Sequence, residues 1–511
     1  MNARQSVDLL IIGGGINGAG IARDAAGRGL KVMLCEQGDL ASATSSASSK
    51  LIHGGLRYLE YYRFGFVRKA LLEREVLLSI APHLVWPARF IVPHDKSLRP
   101  AIVIAAGLLL YDWLAPRKLL ERSRRLDLRK AKEGLPLKKF FAAGFAYSDC
   151  RVNDSRLVVL NAVDASARGA DIRTRTRCIS ARREGGLWSA TLLDLNGATI
   201  ATVTARALVN ATGPWAAELL TDIIECNASK TKLQLVKGSH ILVPRLYEGE
   251  QCYVLQNEDR RIVFVMPYET HYSLIGTTDV PFHGDPVAAK INPEEIAYLC
   301  AAVSRYFWKA LEPEDVLESF SGVRPLYDDG VSNASAATRE YVLDLDAPSD
   351  GVPLLSVFGG KVTTYRRLAE DAIDKLSPYI KPQRTARWTA AAPLPGGDME
   401  GGNFDKFLQK LQDKYSWLEI GTAWRLARAY GTRSERILGD AQSASDLGID
   451  FGAGLTQAEI DYVISHEFAL TAEDILWRRS KLGLHLSPDE HARVSAYVGD
   501  PMLSKTPGQM N

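Results

Sequence analysis

The sequence predicts an α/β fold followed by a helical C-terminal region. An apolar strand at residues 7–12 leads through the turn GGGINGAG into a helical segment, and a second apolar strand follows at 31–36. This is the order of a β-α-β unit. Beyond the glycine- and proline-rich stretch 393–402, the apolar spacing becomes helical. Because 511 residues are too many for one simple core, we expect two or three domains.

The glycines of the first turn predict a dinucleotide site. Gly13, Gly15 and Gly18 fit the pattern G-x-G-x-x-G between a strand and a helix, and Glu36 closes the second strand. Glycine lets the backbone approach a pyrophosphate, the helix N-terminus favours its negative charge, and the acid can accept hydrogen bonds from ribose hydroxyls. The alternative is a glycine-rich turn in another kind of α/β protein. The agreement of strand, helix and acid favours dinucleotide binding.

The remaining elements follow from periodicity and turn residues. Helices are predicted at 66–81, 154–168 and 293–311, and strands at 171–183, 187–195, 199–211, 321–326 and in several places between 232 and 280. A strand near residue 354, LLSVFGG, leads into the helical segment VTTYRRLAEDAIDKL.

Composition argues against several classes of protein. The formal net charge of +2 gives no reason to expect nucleic acid. The six cysteines include no C-x-x-C pair, so we expect reduced thiols rather than a zinc or iron–sulfur site. The first strand begins by Val7, and we therefore expect no signal or transit peptide.

An apolar run is followed by a strongly basic one. Residues 101–114 are apolar but shorter than the roughly 20 residues that a spanning helix needs. Residues 116–132 then carry eight Lys and Arg against two Asp and Glu. Such a pair of segments can bind a bilayer interface with anionic lipid. From these residues alone, a buried helix followed by a solvated basic helix is favoured.

The chain resembles the FAD-dependent, quinone-linked glycerol-3-phosphate dehydrogenases, which are flavoproteins related to D-amino-acid oxidase. The resemblance rests on blocks that follow the family's order from residue 7 to about 370: IIGGGINGAGIARDAAGRGL, ATSSASSKLIHGGLRYLE, FAYSDCRVNDSRL, ALVNATGPWA, KGSHILVP, SLIGTTD, SGVRPL and LLSVFGGKVTTYRRLAE. The C-terminal part also resembles the family's cap domain.

The resemblance implies a domain arrangement. A Rossmann-type FAD-binding domain would be interleaved with an antiparallel-sheet substrate domain over residues 1–385, with the substrate part near 75–145 and 225–320. A linker at 386–402, an all-helical domain at 403–500 and a disordered tail at 501–511 would follow.

The resemblance also implies a reaction and its partners. Hydride transfer to non-covalent FAD would convert sn-glycerol 3-phosphate to dihydroxyacetone phosphate, and the electrons would pass to ubiquinone or menaquinone. The protein would then be monotopic at the cytoplasmic face of the inner membrane, and a homodimer is compatible with this. No D-x-[DN]-x-[DN]-G loop occurs, so we expect no metal and no calcium control.

Site residues follow from the matching blocks. The resemblance places the following residues at FAD: Gly13, Gly15, Asn17, Gly18, Glu36, Thr44, Ser45, Ser46, Lys50, Leu51, Gly213, Gly359, Thr363 and Thr364. It places Arg57, Tyr58, Arg324, Arg339 and Lys361 at the substrate, whose phosphate dianion calls for arginine.

The base that takes the hydroxyl proton is His53 or His240, and the sequence does not choose between them. We count both, with Arg324, as catalytic candidates. Two rival functions are a soluble oxidase of the same fold that uses oxygen, and a non-catalytic flavoprotein that serves as a membrane scaffold.

Overall fold

The computed structural model describes residues 5–95, 97, 99–225, 233–259, 261–327, 340–349 and 351–499. Arg339, which the resemblance places at the substrate, and the predicted tail 501–511 lie outside the described residues. Cys226 does too, and the other five cysteines are buried and free.

The strands lie mostly in the first two thirds of the chain. They are β1 Gln5–Ile12, β2 Val32–Cys35, β3 Leu51–Ile52, β4 Val85–Pro93, β5 Arg124–Asp127, β6 Ala143–Val152, β7 Asp171–Arg173, β8 Thr176–Glu184, β9 Leu187–Asp194, β10 Ile200–Asn210, β11 Leu233–Pro244, β12 Cys252–Gln256, β13 Ile262–Tyr268, β14 Tyr272–Gly276, β15 Val280–Pro281, β16 Glu318–Tyr327, β17 Val342–Asp346, β18 Leu354–Phe358, β19 Asp450–Gly452 and β20 Leu455–Thr456.

The helices predominate in the last quarter. They are α1 Ile16–Gly27, α2 Phe64–Ile80, α3 Ala101–Trp113, α4 Asp154–Ala167, α5 Ala216–Asp222, α6 Pro293–Tyr306, α7 Tyr365–Ile380, α8 Phe404–Lys414, α9 Ile420–Tyr430, α10 Ser434–Leu438, α11 Gln457–His466 and α12 Pro488–Gly499. A π-helix spans Asp474–Arg479.

The first sheet is the parallel one that the β-α-β spacing predicts. Its order is β17-β18-β10-β1-β2-β7, and β9 and β8 extend it beside β10. The strands β2, β1, β10 and β18 run parallel. They are buried on both faces, as is usual for parallel sheets. The helices α1, α4 and α7 pack together against one face, and residues of β8, β9 and α5 cover the other.

The second sheet is mainly antiparallel and has the order β15-β11-β14-β13-β12-β4-β6-β3, with β16 beside β11 and β5 beside β6. Its strands come from residues 51–152 and 233–327. Four of the eight strands of the first sheet, β7 to β10, lie between these two segments in the chain. The predicted α/β class with a parallel nucleotide-binding sheet and an antiparallel one is therefore confirmed. The C-terminal region is helical apart from the short ribbon β19–β20.

The apolar segment 101–114 and the basic segment 116–132 do not form the buried helix and the solvated basic helix that their residues favour. In α3 only Leu108 and Tyr111 are buried, whereas Ile102 and Trp113 are 78% and 73% exposed. The basic segment is not a helix, because part of it forms β5 on the edge of the second sheet. The expectation of a buried helix followed by a solvated basic helix is wrong. Among the described residues, no helix combines the length and apolar character that crossing a bilayer requires.

Candidate functional site

The carboxyl ends of four parallel strands meet at one edge of the first sheet. Ile12 of β1 is in register with Cys35 of β2 and with Asn210 of β10, which itself pairs with Ser356 of β18. The segments that follow these strands therefore lie side by side. Open α/β sheets bind ligands at this edge.

The first turn approaches its neighbours so closely that its glycines cannot be replaced. A Cβ on Gly13 would lie 2.5 Å from the carbonyl oxygen of Ala211, and one on Gly18 would lie 1.9 Å from that of Gly13. Gly15 caps α1 without a side-chain hydrogen bond, and the first turn of the helix has no acidic residue. Asn17 has a buried Oδ1 that no hydrogen-bond donor reaches among the described residues. The turn thus offers a helix N-terminus to an anion.

Glu36 lies against this turn. Its carboxylate accepts hydrogen bonds from the backbone N–H groups of Gly14 and Gly38, both at 2.7 Å. Burial raises the pKa of Glu36, while these two N–H groups act in the opposite direction. Gly213 follows β10 at the same edge, with φ +59 and open space where a Cβ would point.

The hydroxyl groups of the serine-rich loop are hydrogen-bonded to the protein itself. Thr44 donates to the carbonyl of Val323 at 2.7 Å, and Ser45 accepts from the N–H of Ile16 at 3.0 Å. Ser46 donates to a carbonyl within the loop. Direct contacts of these three residues with a cofactor are therefore left to the hydroxyl hydrogen of Ser45, to their backbone amides and to their remaining lone pairs.

Lys50 is held by a buried ion pair. Its Nζ lies 2.9 Å and 3.0 Å from the two carboxylate oxygens of Asp154 and also donates to the carbonyl of Ser46. The side chain therefore fixes the loop, and only its backbone is left for a cofactor. Leu51 begins the short strand β3, where it pairs with Arg151 of β6.

The segment after β3 contacts the turn after β18. The N–H of His53 donates to Oγ1 of Thr363 at 3.2 Å, and the ammonium of Lys361 lies 4.0 Å from the centre of the Tyr58 ring. Gly359 has φ +71 and its carbonyl accepts from the side chain of Asn17 at 3.3 Å. Residues that are some 300 positions apart in the sequence are thereby brought to one place.

Thr364 and Arg57 complete this part of the site. Thr364 is buried and is the N-cap residue of α7. Arg57 lies in the 3₁₀-helix Leu56–Tyr61. Its Nε is buried, and no described residue accepts a hydrogen bond from it.

The guanidinium of Arg324 is oriented by two neighbours. Nη1 pairs with Asp279 at 2.5 Å, and Nη2 donates to Oγ1 of Thr277 at 2.9 Å. Gly238 on β11 makes room for it, because a Cβ there would lie 2.3 Å from Nη2. The site predicted from sequence did not include Asp279 and Thr277, although both belong to the block SLIGTTD that carries part of the resemblance.

The two candidate bases have different surroundings. His53 is half-buried next to the turn after β18. His240 is 0% exposed, its Nε2 lies 3.0 Å from the hydroxyl of Ser49, and its ring stacks on Phe320. Burial lowers the pKa of His240 well below its usual value, and the charges of Arg324 and Lys50 add to this.

Comparison with known proteins identifies the family to which this chain belongs. Residues 8–366 match the family described as FAD dependent oxidoreductase. The chain belongs to that family. Residues 387–503 match the family described as the C-terminal domain of alpha-glycerophosphate oxidase. FAD is the cofactor of this FAD-dependent oxidoreductase, and the glycine turn, the free end of α1 and Glu36 fit a dinucleotide.

Relatives along nearly the whole chain confirm the resemblance. A glycerol-3-phosphate dehydrogenase of Pseudomonas aeruginosa is 53% identical, over 96% of this chain and 94% of that protein. The aerobic glycerol-3-phosphate dehydrogenase of Escherichia coli is 49% identical, over 97% of both. A D-erythritol 1-phosphate dehydrogenase of Brucella abortus is 50% identical, over 96% of this chain and 97% of that protein.

A solved structure agrees with the fold. The glycerol-3-phosphate dehydrogenase from Bacillus halodurans, complexed with FAD, superposes with a TM-score of 0.75 at 26% identity, over 100% of this chain and 97% of that one.

The buried neutral state of His240 predicts a pH dependence of stability. Below about pH 6.5 the unfolded chain binds a proton at this residue that the folded chain does not, so the residue makes stability fall as the pH falls. The contribution is about 1.4 kcal/mol for each pH unit. Urea unfolding of the wild type and of His240→Gln at about pH 7.5 and pH 5 measures it, and the variant should lose less stability between the two.

The exposed His466 offers a matched control. His466→Gln, compared at the same two pH values, shows how much of the difference arises from replacing any histidine by glutamine. Equal losses in all three proteins would show that His240 is protonated in the folded state.

Proposed function

We propose that the protein oxidises sn-glycerol 3-phosphate to dihydroxyacetone phosphate and passes the electrons to a membrane quinone. The observation that carries the proposal is the contact between Lys361 and the ring of Tyr58. This contact joins the turn after β18 to the segment that contains His53 and Arg57, which supports a substrate site there. The names of two relatives with 49% and 53% identity support the same substrate.

Cationic side chains would bind the phosphate. Arg324 is held by Asp279 and Thr277, which keeps its guanidinium in a fixed direction and lowers the entropy lost on binding. Arg57 brings a buried Nε that no described residue bonds. Lys361 adds a charge next to Gly55, where a Cβ would lie 3.5 Å from Nζ. A phosphate dianion would bring two negative charges to these cations.

His53 is the stronger candidate for the base. A base must reach the substrate hydroxyl within hydrogen-bond distance, and His240 is fully buried with its Nε2 next to Ser49. His53 is half-buried and its backbone is tied to Thr363. The imidazole of His53 would take the hydroxyl proton of the substrate. When bound, FAD supplies the two-electron acceptor. His240 would then support the loop through Ser49.

D-Erythritol 1-phosphate is a second candidate substrate. The relative of that name is 50% identical to this chain, and the two glycerol-3-phosphate dehydrogenases are 53% and 49% identical. Sequence identity therefore does not favour one of the two substrates over the other. Both substrates join a phosphate ester to a polyol. The same cations and base would serve either of them.

Anaerobic flavin reduction tests the substrate. With sn-glycerol 3-phosphate the visible absorbance of the bound flavin should bleach, and a soluble quinone added afterwards should restore it. D-Erythritol 1-phosphate, tested in parallel, should bleach the flavin more slowly by roughly tenfold or more at equal concentration. Faster bleaching with D-erythritol 1-phosphate assigns that substrate instead, and bleaching by neither contradicts both.

Substitution of the histidines separates their roles. His53→Gln should lower the rate of flavin reduction in a single turnover by about 10²- to 10⁴-fold and retain the flavin. His240→Gln should lower it by much less, because that residue would act only through Ser49. A larger loss in His240→Gln, with the flavin retained, would make His240 the base.

We also propose that α3 binds the membrane surface. Its exposed face carries Ile102, Leu109 and Trp113 at 78%, 61% and 73% exposure, and an exposed apolar surface of this kind marks an interaction site. The 3₁₀-helix before α2 packs against α3, and the neighbouring Tyr62 is 80% exposed. Exposed arginines of the segment after α3, Arg122, Arg124 and Arg125, would attract anionic lipid.

Sedimentation with lipid vesicles tests this surface. The wild type should bind vesicles that contain anionic lipid, and Leu109→Ser with Trp113→Ser should weaken binding by roughly tenfold or more, since each side chain loses about 1.5–3 kcal/mol of apolar burial. Ile420→Ser, which removes another side chain with 74% exposure from α9, is the control and should bind as the wild type does. Equal binding by the wild type, the double variant and the control would show that the vesicles contact another surface of the protein.

A further inference from the structure

The C-terminal helical region reaches the cofactor edge through one buried carboxylate. Asp39 is 1% exposed and lies three residues after Glu36. Its Oδ2 accepts from Nε of Arg478 at 2.5 Å and from Nη1 of Arg479 at 2.7 Å, and its Oδ1 accepts from Nη2 of Arg479 at 2.8 Å. Both arginines belong to the π-helix Asp474–Arg479. These contacts join positions that are about 440 residues apart in the chain.

Asp39 lies within the loop that holds Glu36 against the glycine turn. Glu36 accepts from Gly14 and Gly38, and the N–H of Ala41 donates to the carbonyl of Gly14 at 3.1 Å. Hydrogen bonds near both ends of the loop therefore attach it to the first turn. A displacement of Asp39 would move Glu36, the acid that is placed to bind ribose hydroxyls.

A second contact links the same π-helix to the loop. The N–H of Arg175 donates to the carbonyl of Gly38 at 2.9 Å, and its guanidinium lies 2.8 Å and 3.0 Å from the carboxylate oxygens of Asp474. Asp474 also pairs with Arg478. The loop is therefore connected to the C-terminal region on two sides.

Burial makes these contacts mutually dependent. Arg479 is 0% exposed and Asp39 is 1% exposed, and a buried charge that loses its partner is strongly destabilising. Arg479 is fixed from the other side by the backbone carbonyl of Glu467, which accepts from its Nε and Nη2 at 3.0 and 2.8 Å, so Arg479 holds Asp39 from a fixed position. π-Helical turns are rare and occur often at functional sites.

We propose that Asp39, Arg478 and Arg479 form a clasp by which the C-terminal region retains FAD. The clasp holds Glu36 and the glycine turn in the arrangement that binds the adenosine half of the cofactor. The C-terminal region is in this way part of the cofactor site. Because coupling between two equilibria is reciprocal, bound FAD stabilises the contact between the two regions by the same factor.

Asp39→Asn tests the clasp, with Glu459→Gln as the matched control. Glu459 is also 1% exposed, and its carboxylate accepts from Nη1 and Nη2 of Arg425, both at 2.7 Å, in an ion pair that lies within the C-terminal region. Both variants replace a buried carboxylate by an amide of the same size and should lower the midpoint of thermal unfolding. The dissociation constant for FAD, measured by reconstitution of the apoprotein, should rise roughly tenfold or more in Asp39→Asn and stay within about twofold in Glu459→Gln. An unchanged constant in Asp39→Asn, or an equal rise in both variants, overturns the proposal.

Hydrogen exchange of the wild-type protein gives a test that needs no variant. The backbone amides of residues 474–484 should exchange roughly tenfold or more slowly in the FAD-bound protein than in the apoprotein. The amides of α8, Phe404–Lys414, which is about 60 residues before the clasp in the chain, should change much less. Equal protection of residues 474–484 with and without FAD would show that the clasp is not coupled to the cofactor.

Discussion

The contact between the first glycine turn and the end of β10 is the constraint on which the site depends. Gly13 passes the carbonyl of Ala211 at a distance that leaves no room for a side chain, and Gly18 passes Gly13 in the same way. This contact brings β1 and β10 together at their carboxyl ends and leaves the N-terminus of α1 facing the same edge. The loops from β2, β3 and β18 then have one place to converge.

Buried ion pairs fix two of the loops at this edge. Asp154 holds the serine-rich loop through Lys50, and Arg479 holds the next loop upstream through Asp39. Such pairs add little net stability compared with apolar packing, but they strongly disfavour arrangements that separate them. They therefore specify position, which is what a cofactor site requires.

The sequence predicts the local parts of this site and misses those that depend on distant contacts. The roles of Gly13, Gly18 and Glu36 could be predicted because a β-α-β unit is contiguous in the chain and has fixed spacing. Asp39 gives no such signal, since its partners come about 440 residues later. The resemblance placed Thr44 at FAD, but the sequence did not predict its hydrogen bond, because the carbonyl that its hydroxyl bonds, that of Val323, is 279 positions away. The basic segment was misjudged because β5 is a strand only beside β6.

The structure connects α3 to the turn that carries His53. Tyr111, on the buried side of α3, accepts a hydrogen bond from the N–H of Gly54 at 2.8 Å and donates to Asp149, which Arg74 neutralises. A Cβ on Gly54 would lie 2.6 Å from the Tyr111 hydroxyl, so the helix cannot shift without moving the turn. If α3 lies on a bilayer as proposed, the surface that meets the lipid and the turn that meets the substrate are two sides of one rigid unit, and a lipid-soluble electron acceptor would have a short path between them.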